Sequence, residues 1–419
     1  MCTTPAGRTP GESRFPHGET PNFFVDFQLY LGCTLSEEPR DGRRRGTRHV
    51  SQTATGPAER PYGRFFLPGP TEVHPEVLAA QTRPMMSHRG VNSQAFMRGV
   101  QDDLQEVFCT KRPVFIATSS ATGLMEAAVR NAGRTKILSL TNGAFSERFA
   151  AIGRACGLEV DTYQVAWGET HDPDVLRAHL ENGVYDAVTM AHSETSTGVL
   201  NDIQALATVV HDFPDTLVLV DSVTGFGAVE LRPDDWGIDF VLTGSQKAFA
   251  LPPGLSFGVP SARMMERAKE APYRGYYFDL LLFQQNHEKD QSPTTPALSV
   301  LYSLEVQLTR MLAEGMEARW ARHAEMAQRT WDWVDEMRGA GIPLQVMAPE
   351  GHRSPSVTTV LLPDGVSGPD VTDSVVDRGW LVGGGYGKLK STTLRVGHMG
   401  DHTMDELNGL LAVLTGVLS

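Results

Sequence analysis

The sequence predicts an α/β fold built around a mostly parallel sheet. From residue 61 onward, short runs of β-forming residues alternate with amphipathic segments of helix length. This alternation is typical of parallel sheets, in which a helix returns the chain between neighbouring strands. The runs are PVFIATS at 113–119, KILSLT at 136–141, YDAVTMAH at 185–192, TLVLVDSV at 216–223 and DFVLTG at 239–244.

Length and composition favour an enzyme that acts on small molecules. The chain has 419 residues, 41% of them hydrophobic and 21% charged, so it can bury a large core. Its net charge of −13 argues against general nucleic-acid binding, which needs a basic face. No apolar run approaches the roughly 20 residues that span a bilayer. We therefore expect neither a nucleic-acid nor a membrane partner.

The cysteines indicate a reducing compartment. Cys2, Cys33, Cys109 and Cys156 have no spacing typical of a metal site, and no secretory context accompanies them. We therefore predict reduced thiols, no metal and a cytoplasmic location.

The first sixty residues differ in composition from the rest of the chain. They are rich in Pro, Gly, Thr and Arg, and they show little apolar periodicity outside FFVDFQLYLG at 23–32. This composition predicts a disordered extension over residues 1–60. The basic segment RDGRRRGTRH at 40–49 leaves a targeting or anion-binding role open. A start codon assigned too far upstream would explain the same composition.

The residues after each predicted strand are the candidates for a ligand site. In open α/β sheets, ligands bind beyond the carboxyl ends of the strands. SSATG at 119–123 follows the first run and opens the helix-forming segment LMEAAVRNAG. Small residues at a helix start leave backbone N–H groups free to bind phosphate. Serine and threonine also cap ordinary helices, so both interpretations stay open here.

An aromatic residue and a group of hydroxyls follow the next two runs. Phe145, in NGAF at 142–145, either stacks on a flat ligand or covers the core. Thr195 lies in SETSTG at 193–198, which is either a turn or a polar contact for a ligand.

Two ionisable residues follow the last two runs. Asp221 ends LVLVD, where a carboxylate is costly to desolvate unless it meets a cation or a strong donor. Capping of the next helix is the alternative role. Lys247, in TGSQKAF at 243–249, either reaches water beyond the strand or acts as a nucleophile.

Pyridoxal phosphate is a ligand that uses all of these features. It is a planar, phosphorylated aromatic aldehyde with a ring nitrogen. The lysine bonds to the aldehyde, the carboxylate keeps the ring nitrogen protonated, and the helix start binds the phosphate.

The motifs, in this order, resemble those of the class V aminotransferases of fold type I. The matching segments are FLPGPTEVHPEV, SSATGLMEAA, NGAFSERF, HSETSTGV, LVDSVTGFG, GSQKAF followed by LPPG, and TLRVG. Within this family, the likeness is greatest to the alanine–glyoxylate and serine–pyruvate aminotransferases. The resemblance implies a large cofactor-binding domain over residues 61–315, with a mostly parallel sheet flanked by helices. A smaller C-terminal α+β domain would cover residues 316–419.

The resemblance also implies roles for individual residues. Lys247 matches the lysine that binds the cofactor and moves a proton at the substrate α-carbon, and Asp221 matches the partner of the ring nitrogen. Arg395 matches the arginine that binds the substrate α-carboxylate, a task suited to its bidentate fork. The implied cofactor contacts are Ser120, Ala121, Thr122, Phe145, Thr195, Asp221, Gln246, Lys247 and Thr294.

Several positions depart from the usual pattern of the family. Ala121 stands where glycine is usual, and Phe145 stands where tryptophan is common. Thr294, in QSPTTPALSVLYSLE at 291–305, matches a residue that reaches the phosphate of the neighbouring subunit. The resemblance therefore implies a homodimer with active sites at its interface. Gln291 stands near the position where many relatives of the family have a tyrosine.

The implied reaction is transamination from a small amino acid, alanine or serine, to a 2-oxo acid, glyoxylate or pyruvate. Phosphoserine aminotransferase remains an alternative, because SHR at 87–89 resembles its phosphate-contacting residues and Lys388 and Lys390 precede Arg395.

Two other members of the fold are less consistent with the sequence. A cysteine desulfurase needs a nucleophilic cysteine on a C-terminal loop, but no cysteine follows Cys156. A catalytically silent interaction protein would have no need of the complete set of Lys247, Asp221 and Arg395.

Overall fold

The computed structural model describes residues 60–419 and confirms the α/β class. Nearly all of the predicted extension, with its arginine cluster, Cys2 and Cys33, lies outside the described residues. The strands, in chain order, are β1 Phe65–Phe66, β2 Phe115–Ala117, β3 Lys136–Thr141, β4 Glu159–Gln164, β5 Ala187–Ala191, β6 Ser193–Glu194, β7 Val199–Leu200, β8 Leu217–Asp221, β9 Phe240–Gly244, β10 Ser256–Pro260, β11 Gln345–Val346, β12 Val357–Leu361, β13 Leu381–Gly384 and β14 Thr393–Gly397.

Helices separate most of these strands. They are α1 Pro75–Ala79, α2 Val91–Val107, α3 Ala121–Ala132, α4 Ala144–Ala155, α5 Pro173–Glu181, α6 Ile203–His211, α7 Ala262–Glu270, α8 Leu280–His287, α9 Leu298–Glu314, α10 Met316–Gly339, α11 Gly368–Asp377 and α12 Met404–Leu418, with short 3-10 turns at Ala80–Thr82 and Gly387–Leu389. Within residues 60–419, no helix has both the length and the apolar character needed to cross a membrane.

The large sheet has seven strands in the order β2-β10-β9-β8-β5-β3-β4. Neighbouring strands from β9 to β4 are parallel, whereas β10 is antiparallel to both of its neighbours. Each of the five predicted runs contains one of these strands. The sequence pattern missed β4, which is half-exposed at the sheet edge, and β10, whose SFGVP combines glycine with proline.

The sheet is covered on both faces, as expected for parallel strands with helical crossovers. Successive strand residues therefore belong to different apolar cores. Leu138, Leu140, Val188, Met190, Val218 and Val220 share one core. Ile137, Ala187, Leu217, Leu219, Phe240 and Leu242 belong to the other.

A second sheet has the order β1-β13-β14-β12-β11. Two of its strands, β12 and β14, consist of the apolar segments VTTVL and TLRVG. Strand β1, at residues 65–66, pairs in parallel with β13, so an early segment of the chain joins this C-terminal sheet. Gly315 separates α9 from α10 at the predicted domain boundary, and the division into two domains there stays a prediction.

The topology brings the candidate residues to one edge of the large sheet. Strand β8 ends at Asp221, and β9 ends three residues before Lys247. Helix α3 begins at Ala121, shortly after β2. Because β2, β8 and β9 all end at this edge, a ligand there contacts several loops at once.

Candidate active site

Most of the predicted site residues line one cavity of about 220 Å³ at this edge. They are Ser120, Ala121, Thr122, Phe145, Thr195, Asp221, Gln246 and Lys247. Arg395 lies next to the cavity, and Thr294 lies away from it. The structure therefore brings together residues from loops more than 100 positions apart in sequence.

Lys247 is buried rather than extended into water. Its Nζ donates a hydrogen bond to the carbonyl of Pro68. Burial, followed by the positive charge of Arg395, lowers the pKa of Lys247 to about 7. Gly69 leaves room for the lysine chain, since a Cβ there would lie 2.5 Å from Nζ. A lysine held in this way has a neutral, nucleophilic fraction near neutral pH.

Asp221 is a buried carboxylate with an unused acceptor. Its Oδ1 accepts a hydrogen bond from the Val223 amide at 2.8 Å, whereas Oδ2 receives none from residues 60–419. Burial raises the pKa of Asp221 to about 7, opposed by that amide and by the charge of Lys247. A turn follows β8 in place of a helix, so Asp221 caps no helix. Its position suits a cationic N–H group of a ligand.

The start of α3 leaves backbone donors available. Ser120 is the N-cap residue, but its side chain makes no capping hydrogen bond. The Gly123 amide donates to the Ser120 carbonyl at 2.9 Å, whereas the amides of Ala121 and Thr122 have no acceptor within residues 60–419. Gly244 keeps this space open, because a Cβ there would lie 2.7 Å from Gln246 Oε1 and 3.2 Å from Ala121 Cβ. The arrangement is suited to an anion.

An aromatic wall closes another side of the cavity. The ring centroids of Phe145 and Tyr386 lie 5.2 Å apart, and Lys247 Nζ lies 6.0 Å from the Phe145 centroid. The guanidinium carbon of Arg148 lies 4.9 Å from the same ring, and Arg148 Nη2 donates to Tyr386 Oη at 3.1 Å. The wall thus combines a flat surface with a cation.

Glu194 fixes the start of α4 and therefore the position of Phe145. Its carboxylate accepts hydrogen bonds from the amides of Phe145 and Ser146, at 3.1 and 2.9 Å, and from Ser146 Oγ at 3.0 Å. Ser196 Oγ donates to the other carboxylate oxygen at 2.6 Å. The hydroxyl-rich segment 193–198 thus supplies part of the cap of α4, although it belongs to another loop. The sequence alone did not indicate this cap.

Arg395 and Thr195 meet beside the cavity. Arg395 Nε donates to the Gly384 carbonyl at 2.8 Å, and Nη1 donates to the Thr195 carbonyl at 3.3 Å. The Thr195 hydroxyl bonds to that of Thr224. Burial lowers the pKa of Arg395 to about 10. No carboxylate within residues 60–419 forms an ion pair with Arg395, so its guanidinium is available to an anionic substrate.

The charges considered for a phosphoserine site lie outside the cavity. Arg89 Nη1 donates to Gln291 Oε1 at 3.0 Å and to the Ser292 carbonyl at 2.7 Å. Lys388 Nζ lies 4.3 Å from the centroid of Trp167, and Lys390 is exposed. These groups are therefore not gathered around one phosphate.

Thr294 does not reach the cavity of its own chain. It is half-buried, and its carbonyl accepts a hydrogen bond from Ser292 Oγ at 2.7 Å. The contact predicted for Thr294 is with the cofactor phosphate of a neighbouring subunit. The structure of a single chain does not test this contact, which stays a prediction.

Among the lining residues that sequence reasoning missed are Arg148 and Tyr386, which complete the aromatic wall. Arg148 follows Phe145 by three positions on α4, so helical periodicity places both side chains on one face. Tyr386 lies in the glycine-rich segment GGGYG at 383–387, and no local sequence pattern places it beside α4.

Comparison with known proteins identifies the family. The model of the aminotransferase class V family matches residues 71–387. An uncharacterized aminotransferase of Methanocaldococcus jannaschii is 35% identical, covering 80% of this chain and 87% of that protein. An L-aspartate–glyoxylate aminotransferase of Paracoccus denitrificans is 31% identical, covering 81% and 87%. A serine–glyoxylate aminotransferase of Arabidopsis thaliana is 30% identical, covering 84% and 90%.

Solved structures agree with this assignment. An alanine–glyoxylate aminotransferase from Nostoc superposes with a TM-score of 0.80 at 29% identity, covering 87% of this chain and 97% of that one. A phosphoserine aminotransferase from Cytophaga hutchinsonii, with a TM-score of 0.77, is 21% identical and shows the fold alone, covering 85% and 99%. The chain, with its fold type I architecture, belongs to the class V aminotransferase family.

Proposed function

We propose that the protein is a pyridoxal-phosphate-dependent transaminase that moves an amino group from alanine or serine to glyoxylate or pyruvate. The observation that carries this proposal is the placement of Lys247 and Asp221 in one buried cavity, beside the free N-terminus of α3. Membership of the family supports the transaminase activity and implies the cofactor.

The residues of the cavity fit pyridoxal phosphate. Lys247 would hold its aldehyde carbon, Asp221 its ring nitrogen, and Phe145 one face of its ring. The amides at the start of α3, with Ser120, Thr122 and Gln246, would bind its phosphate, and Thr195 would contact the ring edge. When bound, the cofactor supplies an exchangeable amine carrier and a ring that accepts electrons from the substrate α-carbon.

Three side chains of the protein then perform the remaining tasks. Lys247 Nζ accepts and returns the proton of the substrate α-carbon, for which its lowered pKa is suited. Asp221, whose Oδ2 accepts no hydrogen bond from residues 60–419, would keep the ring nitrogen protonated. Arg395 binds the substrate α-carboxylate, because two parallel N–H groups match a carboxylate.

The choice of donor and acceptor rests on the relatives. The Nostoc and Arabidopsis proteins are named for transamination between alanine or serine and glyoxylate. Phosphoserine is a weaker candidate, because Arg89, Lys388 and Lys390 do not line the cavity.

A matrix of donors and acceptors tests this proposal. Purified protein loaded with pyridoxal phosphate should transfer amino groups from alanine and serine to glyoxylate and pyruvate, measured as product amino acid by chromatography. Phosphoserine with 2-oxoglutarate should be a poorer pair. A higher specificity constant for phosphoserine than for alanine would contradict the proposal.

We expect an obligate homodimer in which Thr294 contacts the cofactor phosphate of the partner subunit. Thr118 forms hydrogen bonds with two segments that we expect at this interface. Its Oγ1 accepts a hydrogen bond from the Ala297 amide at 3.2 Å, and its carbonyl accepts one from Tyr277 Oη at 2.9 Å. Nearby, Tyr273 and Tyr276 are each 76% exposed, and large exposed aromatic residues are typical of interfaces.

Sedimentation at assay concentration checks the oligomeric state. The expected result is a dimer. Thr294→Val should weaken cofactor binding by about tenfold, because it removes one hydrogen bond to a charged group. A fully active monomer would contradict the assignment of Thr294.

We also predict a cytoplasmic enzyme. Within the described residues, Cys109 and Cys156 are free thiols, as expected for a protein in a reducing compartment.

A further inference from the structure

We propose that Arg319 is a positioning residue for Lys247, because its guanidinium fixes the turn from which the lysine reaches the cavity. This inference rests on the proposed function, since it assigns Arg319 a part in the same transfer of the α-proton. Arg319 lies on α10 and does not line the cavity, so it would act through the lysine and not on the substrate.

Lys247 belongs to a turn that depends on contacts from another segment. Thr71 binds two successive carbonyls of this turn, because its amide donates to Gln246 at 3.0 Å and its hydroxyl donates to Lys247 at 2.9 Å. Ala250, whose amide donates to the Lys247 carbonyl at 2.8 Å, has a φ of +50°. This left-handed conformation is unfavourable for a residue with a side chain. The turn is therefore strained, and the surrounding structure must hold it.

Arg319 binds the third successive carbonyl of the turn. Its Nη2 donates a hydrogen bond to the carbonyl of Ala248, directly after Lys247 in the chain, at 2.7 Å. Arg319 is only 1% exposed, so this bond is both charge-assisted and shielded from water. Such bonds are roughly twice as strong as those between neutral groups, and the rigid guanidinium fork allows few alternative geometries. Arg319 therefore restricts the peptide that carries the lysine.

Two carboxylates hold Arg319 in this geometry. Arg319 Nη2 also donates to Asp401 Oδ1 at 2.9 Å, and Nη1 donates to Glu314 Oε2 at 2.7 Å. Gln307 Nε2 donates to both oxygens of Asp401, at 3.0 and 3.1 Å. Burial raises the pKa of Asp401, but the charge and the hydrogen bond of Arg319 outweigh burial and lower this pKa overall. Asp401 is therefore ionised at neutral pH and compensates the buried guanidinium.

The competing interpretation is that this network only packs α9 against α10. Glu314 is the last residue of α9, and Arg319 lies near the start of α10. Arg322 offers a matched control, because its Nε donates to Glu314 Oε1 at 2.6 Å and its Nη1 donates to the His402 carbonyl at 2.7 Å. It makes the same kinds of contact but has no hydrogen bond to residues 246–250. A purely structural network predicts similar consequences for the loss of either arginine.

Hydrogen exchange on the full chain, without added cofactor, tests the contact apart from turnover. Arg319→Gln should increase amide exchange in the peptide 246–251 by about tenfold, because it removes one hydrogen bond from a charged group. Arg319→Lys should retain part of the protection, since it keeps the charge. Arg322→Gln should increase exchange around residues 399–403 and leave 246–251 unchanged. Equal exchange of 246–251 in the wild type and in Arg319→Gln would overturn the proposal.

A second variant serves if Arg319→Gln does not fold. Asp401→Asn keeps the arginine and nearly the shape of the aspartate, but it removes the charge that holds the guanidinium. It should increase exchange of 246–251 in the same direction. Unchanged exchange in this peptide would contradict the role given to the pair.

Kinetics supply a readout that a structural role would not change. Arg319→Gln should lower kcat about tenfold to a hundredfold with little change in KM for alanine, because small misplacements of a reacting group have effects of this size. In Lys247→Ala, with a small primary amine added to restore part of the rate, Arg319→Gln should have no further effect. The free amine does not depend on the turn, so the two changes are coupled. The same loss in both backgrounds would assign Arg319 a structural role and contradict the proposal.

The outcomes also distinguish this inference from the proposed function. An active wild type in which Arg319→Gln changes neither the exchange of 246–251 nor kcat would refute the role of Arg319 alone. A wild type that is inactive with every donor would refute the transaminase and, with it, the catalytic part of this proposal. The exchange measurement would still decide whether Arg319 holds the turn.

Discussion

Replacing Lys247 with alanine should lower the turnover number for alanine and glyoxylate by about 10²–10⁴-fold, the usual contribution of a positioned acid–base group. The buried Nζ can both accept and release a proton near neutral pH, because its pKa is lowered to about 7. Alanine removes that group, and no other lysine lines the cavity among the described residues. The fold should persist, because the change removes a costly buried amine.

Stopped-flow measurement of substrate α-proton removal checks this expectation. Small primary amines added to the Lys247→Ala protein should restore part of the rate, since they replace the missing proton acceptor. Circular dichroism controls for folding. Retention of more than a tenth of the wild-type turnover would show that another group moves the proton.

Asp221→Asn should lower the turnover number by about 10²–10⁴-fold. Breaking a buried charge pair costs about 3–5 kcal/mol, and a barrier increase of that size corresponds to a loss of this order. Asparagine keeps the shape of aspartate and can still accept the Val223 amide, so the loss should come from the missing negative charge. A neutral amide cannot hold a proton on the ring nitrogen of the cofactor.

The deuterium isotope effect on turnover locates the loss in Asp221→Asn. With α-deuterated alanine, the effect should increase relative to wild type, because α-proton removal becomes slower than the other steps. Asp239→Asn is a useful control, since Asp239 is buried and accepts hydrogen bonds from the Val218 amide and Ser261 Oγ. It should lower the melting temperature while changing turnover much less. Equal losses in the two variants would point to folding instead of chemistry.

The sequence predicted the sheet and the two ionisable residues because both depend on local pattern. Buried parallel strands appear as short apolar runs, and each predicted run contains a strand of the large sheet. Asp221 and Lys247 stand out because a charged residue directly after such a run requires an explanation. The order of the strands then places them together, as expected at the carboxyl ends of a parallel sheet.

Features that depend on contacts between distant segments were not predictable. Strand β10 pairs with β2 across more than 100 residues and includes residues with low strand propensity. Glu194 caps a helix that begins 50 positions earlier, and no local motif signals such a cap. The contact between Arg148 and Tyr386 joins α4 to a loop of the second sheet, so it is visible only in the folded protein.

Borohydride reduction followed by peptide mapping tests the central claim most directly, that Lys247 holds pyridoxal phosphate in this cavity. Reduction makes the bond between an amine and the cofactor permanent, so mass spectrometry can locate the modified residue. We predict a phosphopyridoxyl group on the peptide that contains Lys247, and its absence in Lys247→Ala. A protein that acquires no such group after incubation with pyridoxal phosphate, or that carries it on another lysine, would contradict the account.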